Sequence, residues 1–171
     1  MPDFALFGPS EKHFVPMGGF CISVFAVLQS GSELLLGKPR QHGRWQDEWA
    51  PNWRLYDSGQ LEAELRRWRF PSSYVEEGES PEHALGRVMN EQLGVREYTL
   101  QSSRLLNFYE PSRRYPGRYH WDYCFVFRVM ANFSPHDLPW FSELRYIAPS
   151  SLDATDFGSA QGAILMALNT H

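Results

Sequence analysis

Acidic side chains crowd one short stretch of this 171-residue chain. Glu76, Glu77 and Glu79 lie in a predicted loop, and Glu91 lies in the helix predicted to follow it. Mg²⁺ is often held by one or two carboxylates together with substrate phosphates and water. A cation held in this way neutralises phosphate charge and activates a water molecule. These acids are therefore candidates for a site that holds a divalent cation, with Glu76 and Glu77 as helpers.

The stretch that must position these acids runs from Trp68 to Val95 and reads as a short strand, a loop and a helix. We expect the loop over Ser72 to Ser80. Ser80 is a good N-cap, and Pro81 suits the first helical position, where its missing N–H costs nothing. Gly94 is expected to end the helix. One buried stripe is predicted at helical spacing, formed by Ala84, Leu85, Val88, Met89 and Leu93.

This stretch resembles the Nudix hydrolase signature, which is Gly, five residues, Glu, seven residues, then Arg-Glu-apolar-x-Glu-Glu-x-Gly-apolar. The aligned positions are Ser73, Glu79, Arg87, Val88, Met89, Glu91, Gln92, Gly94 and Val95. The lead-in at 68–71 and the run at 75–82 are similar to the family as well. Three positions depart from the signature: Ser73 replaces Gly, Val88 replaces the first helical Glu, and Gln92 replaces the last.

The resemblance implies a metal-dependent hydrolase that uses Mg²⁺ or Mn²⁺, with Glu91, Glu79 and Arg87 at catalytic positions. Positions 88, 91 and 92 form the metal platform in the family, and they lie on one helix face. Here Glu91 keeps a carboxylate, Gln92 offers a neutral amide oxygen, and Val88 offers nothing. The backbone carbonyl of Ser73 is a further metal ligand in this interpretation. Arg87 and Glu79 are also expected to form an ion pair that stabilises the fold.

Further candidate residues lie downstream of the box. Arg113, Arg114 and Arg118 surround a turn, and arginine suits phosphate because its fork of donors is bidentate. The alternative is a solvated basic hairpin tip. The resemblance implies a downstream acid near the metal, and Glu143 is the candidate. For each of the acidic residues the alternative is a solvated loop or helix end.

The order of predicted strands and helices implies an α/β/α sandwich with a mixed central sheet. The resemblance implies that residues 1–171 form a single Nudix-like domain of this architecture. Strands are expected at 20–29, 33–37, 98–109, 119–130 and 143–148, and a C-terminal helix from about residue 159. The strands at 98–109 and 119–130 are predicted to form a hairpin. An insertion at about 39–67 precedes the box at 70–95, with a helix capped by Asp57 or Ser58. This insertion is a lid over a pocket, or a structural insert that packs on the sheet or forms a homodimer face.

Composition narrows the class of protein. The net charge of −4 gives no global basic field for nucleic acid. Aromatic residues reach 15%, which indicates a ring-rich core or a pocket that stacks a base or another flat group. Cys21 and Cys124 are expected to be two buried thiols in a reducing compartment, and we expect the cytoplasm. No apolar run is long enough to predict a membrane span, and no signal peptide is predicted.

Two functions follow from these residues. The first is a Nudix-type hydrolase of a nucleoside diphosphate linked to another group, with an atypical metal site. The second is a catalytically inactive Nudix-fold module that binds a small-molecule nucleotide or other diphosphate ligand, or serves as a scaffold. The replacements at Val88 and Gln92 favour the second function, whereas Glu91 and the loop acids favour a residual site.

Overall fold

The computed structural model describes residues 19–41, 49, 55–112, 115–158 and 161–169. Six strands form one sheet. They are β1 Phe20–Ser30, β2 Glu33–Pro39, β3 Ser72–Tyr74, β4 Thr99–Pro111, β5 Tyr119–Met130 and β6 Phe141–Ile147. Their order is β4-β5-β1-β2-β6, and β3 pairs with β1 beside this path.

The sheet is mixed, as predicted. β1 runs parallel to β5 from Phe20 opposite Trp121 to Leu28 opposite Val129. The other pairings are antiparallel, including the predicted β4–β5 hairpin. β1 is the central strand because it contacts β5, β2 and β3, and its nearly continuous apolar sequence fits burial on both faces.

Helices lie on both faces of the sheet. α1 spans Ser58–Leu65, α2 spans Pro81–Arg87 and α3 spans Gln161–Asn169. α2 continues directly as one π-helical turn, Val88–Gln92, and we call the two together the box helix. One buried cluster joins the box helix to the sheet, and a second joins α3 to the opposite face. The fold is therefore the predicted three-layer α/β/α sandwich.

The alternation of side chains along β1 builds both clusters. Val24, Ala26 and Leu28 point to the box helix, whereas Phe25 and Val27 point to α3. Successive side chains in a strand face opposite sides, so one apolar strand supplies two cores. This alternation also decides which polar residues can meet at a site.

Most predicted elements are confirmed, with small shifts at their ends. Asp57, one of the two predicted N-caps, caps α1 and forms a capping box with Gln60. The strand that precedes the box differs: Trp68 and Arg69 make only isolated bridges, and β3 lies inside the predicted loop. The π-helical turn was not predicted. Within the described residues, no helix is long and apolar enough to cross a membrane.

Candidate functional site

The box helix begins and ends as its sequence predicts. Ser80 Oγ accepts a hydrogen bond from the His83 backbone N–H at 3.2 Å, and Pro81 follows as the first helical residue. Gly94 ends the helix with φ of +71°, a backbone conformation that favours glycine. Between them, Leu93 N–H donates to the Val88 carbonyl at 3.2 Å, an i to i+5 bond. The predicted metal platform therefore lies on a wider turn than an α-helix.

We call Val88, Glu91 and Gln92 the box face, since these are the positions of the predicted metal platform. Val88 has no exposed surface and belongs to the apolar cluster between the box helix and the sheet. Its side chain has no oxygen and no access to solvent. The first position of the platform has become part of the core.

Gln92 is also fully buried, and its amide bonds to β3. Oε1 accepts from the Ser72 backbone N–H at 3.1 Å, and Nε2 donates to the Ser72 carbonyl at 3.1 Å. The predicted role of Gln92 as a metal ligand does not match this arrangement. Its side-chain oxygen already accepts a hydrogen bond from the Ser72 N–H, and its nitrogen lies against the Ser72 carbonyl oxygen. We name this pair of bonds the Gln92 clamp.

Glu91 is the exposed member of the box face. Its backbone carbonyl accepts from Trp140 Nε1 at 3.2 Å. Among the described residues, no ion pair or hydrogen bond engages its carboxylate. Glu91 is therefore available to a ligand, and its predicted roles as metal ligand and catalytic residue stay predictions.

Arg87 holds the box loop to the box helix. Nε and Nη2 donate to the two carboxylate oxygens of Glu79 at 2.8 and 2.9 Å. Nη2 also donates to the Tyr74 carbonyl at 2.8 Å, and Nη1 donates to Ser73 Oγ at 3.2 Å. Nη1 lies 3.3 Å from Glu76 Oε1. These residues form the Arg87 anchor, which uses all of the nitrogens of the guanidinium and confirms the predicted pair with Glu79.

Glu79 is committed to this anchor. Its Oε2 accepts a third hydrogen bond, from the Glu76 backbone N–H at 2.9 Å. The two bonds from Arg87 lower the pKa of Glu79, and Glu79 in turn raises the pKa of Arg87. Both groups are charged at neutral pH and face each other. The geometry supports a structural role for this pair, and the catalytic role predicted for each stays untested.

Ser73 belongs to the same anchor. Its hydroxyl donates to the Tyr74 carbonyl at 3.1 Å while it accepts from Arg87. The residue is 3% exposed. Its hydroxyl therefore serves the loop, and the predicted use of its carbonyl as a metal ligand stays a prediction.

The downstream candidates lie apart from the box face. Glu143 pairs with Lys38 Nζ at 2.9 Å and with Arg145 Nε at 3.0 Å. Both cations lie over the ring of Trp68, which belongs to the α3 cluster on the opposite face of the sheet. The structure therefore does not bring Glu143 to Glu91.

The three arginines of the β4–β5 turn are only partly described. Arg118 is exposed, and its backbone carbonyl accepts from the Ser112 N–H at 2.7 Å, which closes the turn. Arg113 and Arg114 lie outside the described residues. Phosphate binding by these arginines stays a prediction.

The donor set at the box face does not fit a resident divalent cation. Among the residues that the structure describes, no group of three or more His, Cys, Asp or Glu side chains could hold a metal ion. Val88 is apolar, Gln92 is clamped and Glu79 is paired, so Glu91 is the one carboxylate left on the box face. Glu77, a predicted helper, is exposed in the loop, and its role at a metal site stays a prediction. Mg²⁺ requires six oxygens in octahedral geometry, and one exposed carboxylate leaves five of them to water or ligand.

Trp49 is a site residue that sequence reasoning did not single out from its neighbours. It comes from the insertion, is only 4% exposed and packs edge-on against Trp140, with ring centres 5.6 Å apart. The Arg87 guanidinium carbon lies 5.8 Å from its ring centre. Trp49 thus covers the box helix, which favours a packed insert over a lid. Residues 42–48 and 50–54 lie outside the described part, so both alternatives stay open.

A row of five rings, three of them exposed and two half-buried, lies on the same side of the sheet as the box helix. We call it the aromatic face; it consists of Phe20, Tyr109, Tyr119, Trp121 and Tyr123. Tyr109 stacks on Tyr119 at 4.9 Å and lies 5.1 Å from Trp121. Trp121 is 6.3 Å from Tyr123, which meets Phe20 at 6.4 Å. Rings at every second residue of β5 were the sequence signal for this face.

The two cysteines are free thiols on the α3 side of the sheet. Cys124 is buried, and Cys21 is half-buried with its thiol donating to Asp122 Oδ1 at 3.3 Å. Burial, and then the Asp122 charge, raises the pKa of both thiols above the ordinary range. Both stay protonated at neutral pH, so neither is suited to nucleophilic catalysis.

Comparisons with known proteins agree on the fold. No protein-family profile matches the chain, and no curated protein sequence is similar to it. Solved structures do match. A MutT protein from Methanosarcina mazei Go1 has a TM-score of 0.60 at 13% identity, covering 88% of this chain and 93% of that one. A MutT Nudix hydrolase from Burkholderia pseudomallei has a TM-score of 0.55 at 16% identity, covering 88% and 98%.

A UDP-X diphosphatase matches with a TM-score of 0.54 at 14% identity. The match covers 95% of this chain and 66% of that one, so this chain spans about two thirds of the diphosphatase. At these identities the likeness shows the fold: the chain has the Nudix fold, and its structural neighbours include Nudix hydrolases.

Proposed function

We propose that this chain is a Nudix-fold binding module for a nucleotide-type small molecule, without hydrolysis by a metal held on the box face. One observation carries this proposal: of the three platform positions, Val88 and Gln92 are fully buried and bonded or packed inside the protein. Packing and hydrogen bonds within the protein therefore hold these two positions of the box helix against the sheet.

The electrostatics of the site support this proposal. Metal-assisted hydrolysis of a diphosphate needs cations to offset phosphate charge and to generate a nucleophilic water. At the box face only Glu91 could hold such a cation. The neighbouring cation, Arg87, is neutralised by Glu79 and Glu76 and has no nitrogen left for a phosphate. Among the described residues of this region, there is neither a group of carboxylates that would hold a metal strongly nor a free guanidinium.

The aromatic face supplies a surface for the flat group of the ligand. Phe20, Tyr109 and Tyr119 expose 61%, 47% and 47% of their surface. Exposed rings on a sheet stack nucleobases, and one base–ring contact contributes roughly 1–3 kcal/mol. The surface borders the box loop, because the Val75 N–H donates to the Ile22 carbonyl in β1 at 2.9 Å. The name of the UDP-X diphosphatase, a neighbour in fold, indicates a nucleotide-linked substrate for that protein.

Calorimetric titration with nucleoside diphosphates and nucleotide sugars in EDTA tests this proposal. We expect measurable binding without metal, weakened about tenfold or more by Trp121→Ala because one stacking contact is lost. Leu100→Ala is the matched control, since Leu100 is exposed on β4 but lies at the far end of that strand. No binding across the panel, or equal binding by Trp121→Ala, would overturn the proposal.

The second candidate function is a hydrolase with an atypical metal site. The observation in its favour is the exposed Glu91 carboxylate, which no described residue engages. Mg²⁺ can be held by one carboxylate when substrate phosphates and waters complete its shell. This candidate requires turnover that depends on both metal and Glu91.

A further inference from the structure

We propose that the Gln92 clamp replaces a bound cation in this protein, and that a carboxylate at position 92 would turn the same place into a cation site. The inference concerns how the box helix is held against β3, and it does not depend on which of the two candidate functions is correct. It rests on the distances, burial and chemistry of the clamp.

The orientation of the Gln92 amide is fixed by its partners. The Ser72 N–H can only donate and the Ser72 carbonyl can only accept, so they require an acceptor and a donor on one side chain. A carboxamide offers both on a single planar carbon, and both contacts measure 3.1 Å. Ser72 lies in β3 opposite Phe25 of β1. The clamp therefore ties the box helix to β3, and through β3 to the central strand.

A carboxylate in the same place would leave one contact unsatisfied. One oxygen would still accept from the Ser72 N–H, but the other would face the Ser72 carbonyl oxygen with no hydrogen between them. Two such oxygens repel unless a metal cation or a proton lies between them, and the site is fully buried. The 3.1 Å between Gln92 Nε2 and the carbonyl oxygen suits this role. Neighbouring oxygens of octahedral Mg²⁺, bound at 2.0–2.1 Å, lie about 3 Å apart.

The wild-type protein should therefore be indifferent to divalent cations. The amide N–H₂ group places a partial positive charge beside the Ser72 carbonyl oxygen, as a cation would. No ion has to lose its hydration shell for this contact to form. The neighbouring Glu91 stays exposed and is not needed for closure. Stability in EDTA and in Mg²⁺ or Mn²⁺ is expected to be the same.

Thermal unfolding of four full-length proteins in EDTA, in MgCl₂ and in MnCl₂ tests the inference: wild type, Gln92→Glu, Gln92→Met and Gln101→Glu. Gln92→Met keeps the length of the side chain but loses both hydrogen bonds, and should lower Tm by roughly 5 °C or more in every buffer. Gln92→Glu should lose at least as much in EDTA and recover at least half of the loss in Mg²⁺ or Mn²⁺. Gln101→Glu adds the same charge on the exposed part of β4 and should show no metal-dependent shift.

Three results would overturn the inference. The first is a wild-type Tm that rises by several degrees with Mg²⁺ or Mn²⁺, because the closure would then need a cation. The second is a Gln92→Glu protein whose Tm, or whose failure to fold, is the same in EDTA and in both metals. A Gln92→Met protein as stable as wild type would also contradict the clamp.

Discussion

The Arg87 anchor and the box face lie on two sides of the box helix, and they differ in how far they keep the family signature. The Arg87 anchor keeps the charged residues of the signature and uses them within the protein. The box face keeps one of three carboxylates, and its other two positions are an apolar core residue and an amide. The signature therefore contains two separable functions, one that holds the loop and one that holds a ligand.

The difference between the two sides is whether the charges have partners inside the chain. Arg87 and Glu79 pair through two hydrogen bonds in a half-buried place, so the charges stabilise the fold without any ligand. Three carboxylates at the box face would repel one another without a cation. Val88 and Gln92 remove this requirement. The predictions below test each side in order of the expected effect.

Val88→Glu should have the largest effect, because it places a carboxylate in a fully buried apolar position. We expect a loss of about 3–5 kcal/mol of unfolding free energy, measured by urea unfolding in EDTA. Asn90→Glu is the control: it adds the same charge on the exposed neighbouring surface and should change stability by less than about 0.5 kcal/mol. Equal stability of Val88→Glu and wild type would show that position 88 of the box face is accessible to solvent.

Arg87→Ala should cost about 3 kcal/mol, since it removes every bond of the anchor and leaves Glu79 nearly buried without its partner. Urea unfolding at pH 7 measures this loss. The control is Arg66→Ala, which breaks the exposed pair with Glu62 and should cost less than about 1 kcal/mol. Similar losses for the two variants would contradict the difference between anchor and surface pair.

Glu79→Gln should show a pH-dependent loss of stability. Arg87 holds the pKa of Glu79 below its ordinary value, so the charged form contributes stability above the unfolded pKa of about 4.3. This contribution is lost as pH falls through the folded pKa. We expect the variant to be about 1–3 kcal/mol less stable than wild type at pH 7, and the gap to shrink below about pH 4. A gap that stays constant from pH 7 to pH 3 would refute the linkage.

Glu91→Gln should have the smallest effect on stability. The carboxylate is exposed and has no partner among the described residues, so the unfolding free energy should stay within about 0.5 kcal/mol of wild type. The same urea titration measures it. A loss above about 1 kcal/mol would show that Glu91 is a structural residue of the box face.

The sequence predicted the fold well because its signals are local. β1 is a nearly continuous apolar run, and β5 is rich in aromatic and β-branched residues. Ser80, Pro81 and Gly94 bound the box helix in ways that depend only on neighbouring residues. The Arg87–Glu79 pair was also within reach, since both residues lie in one loop–helix unit. Local chemistry and the family resemblance pointed to the same arrangement.

The candidate site was less predictable because its contacts are not local. Gln92 bonds to the backbone of a residue twenty positions earlier, which no pattern in the sequence indicates. Glu143 was predicted to lie near the metal. The strand register instead places it beside Lys38 and Trp68 on the other face of the sheet. Trp49 covers the box helix from an insertion without periodicity. Burial of these groups depends on how distant segments meet.

Release of nucleoside monophosphate from a panel of nucleoside diphosphates and nucleotide sugars, in Mg²⁺ and in Mn²⁺, tests the central claim most directly. The protein and its Glu91→Gln variant are compared side by side at equal concentration, with matched samples in EDTA. We expect no metal-dependent release above the reaction without protein, for wild type and variant alike. Turnover that requires the metal and disappears in Glu91→Gln would contradict the claim and establish the box face as a working hydrolase site.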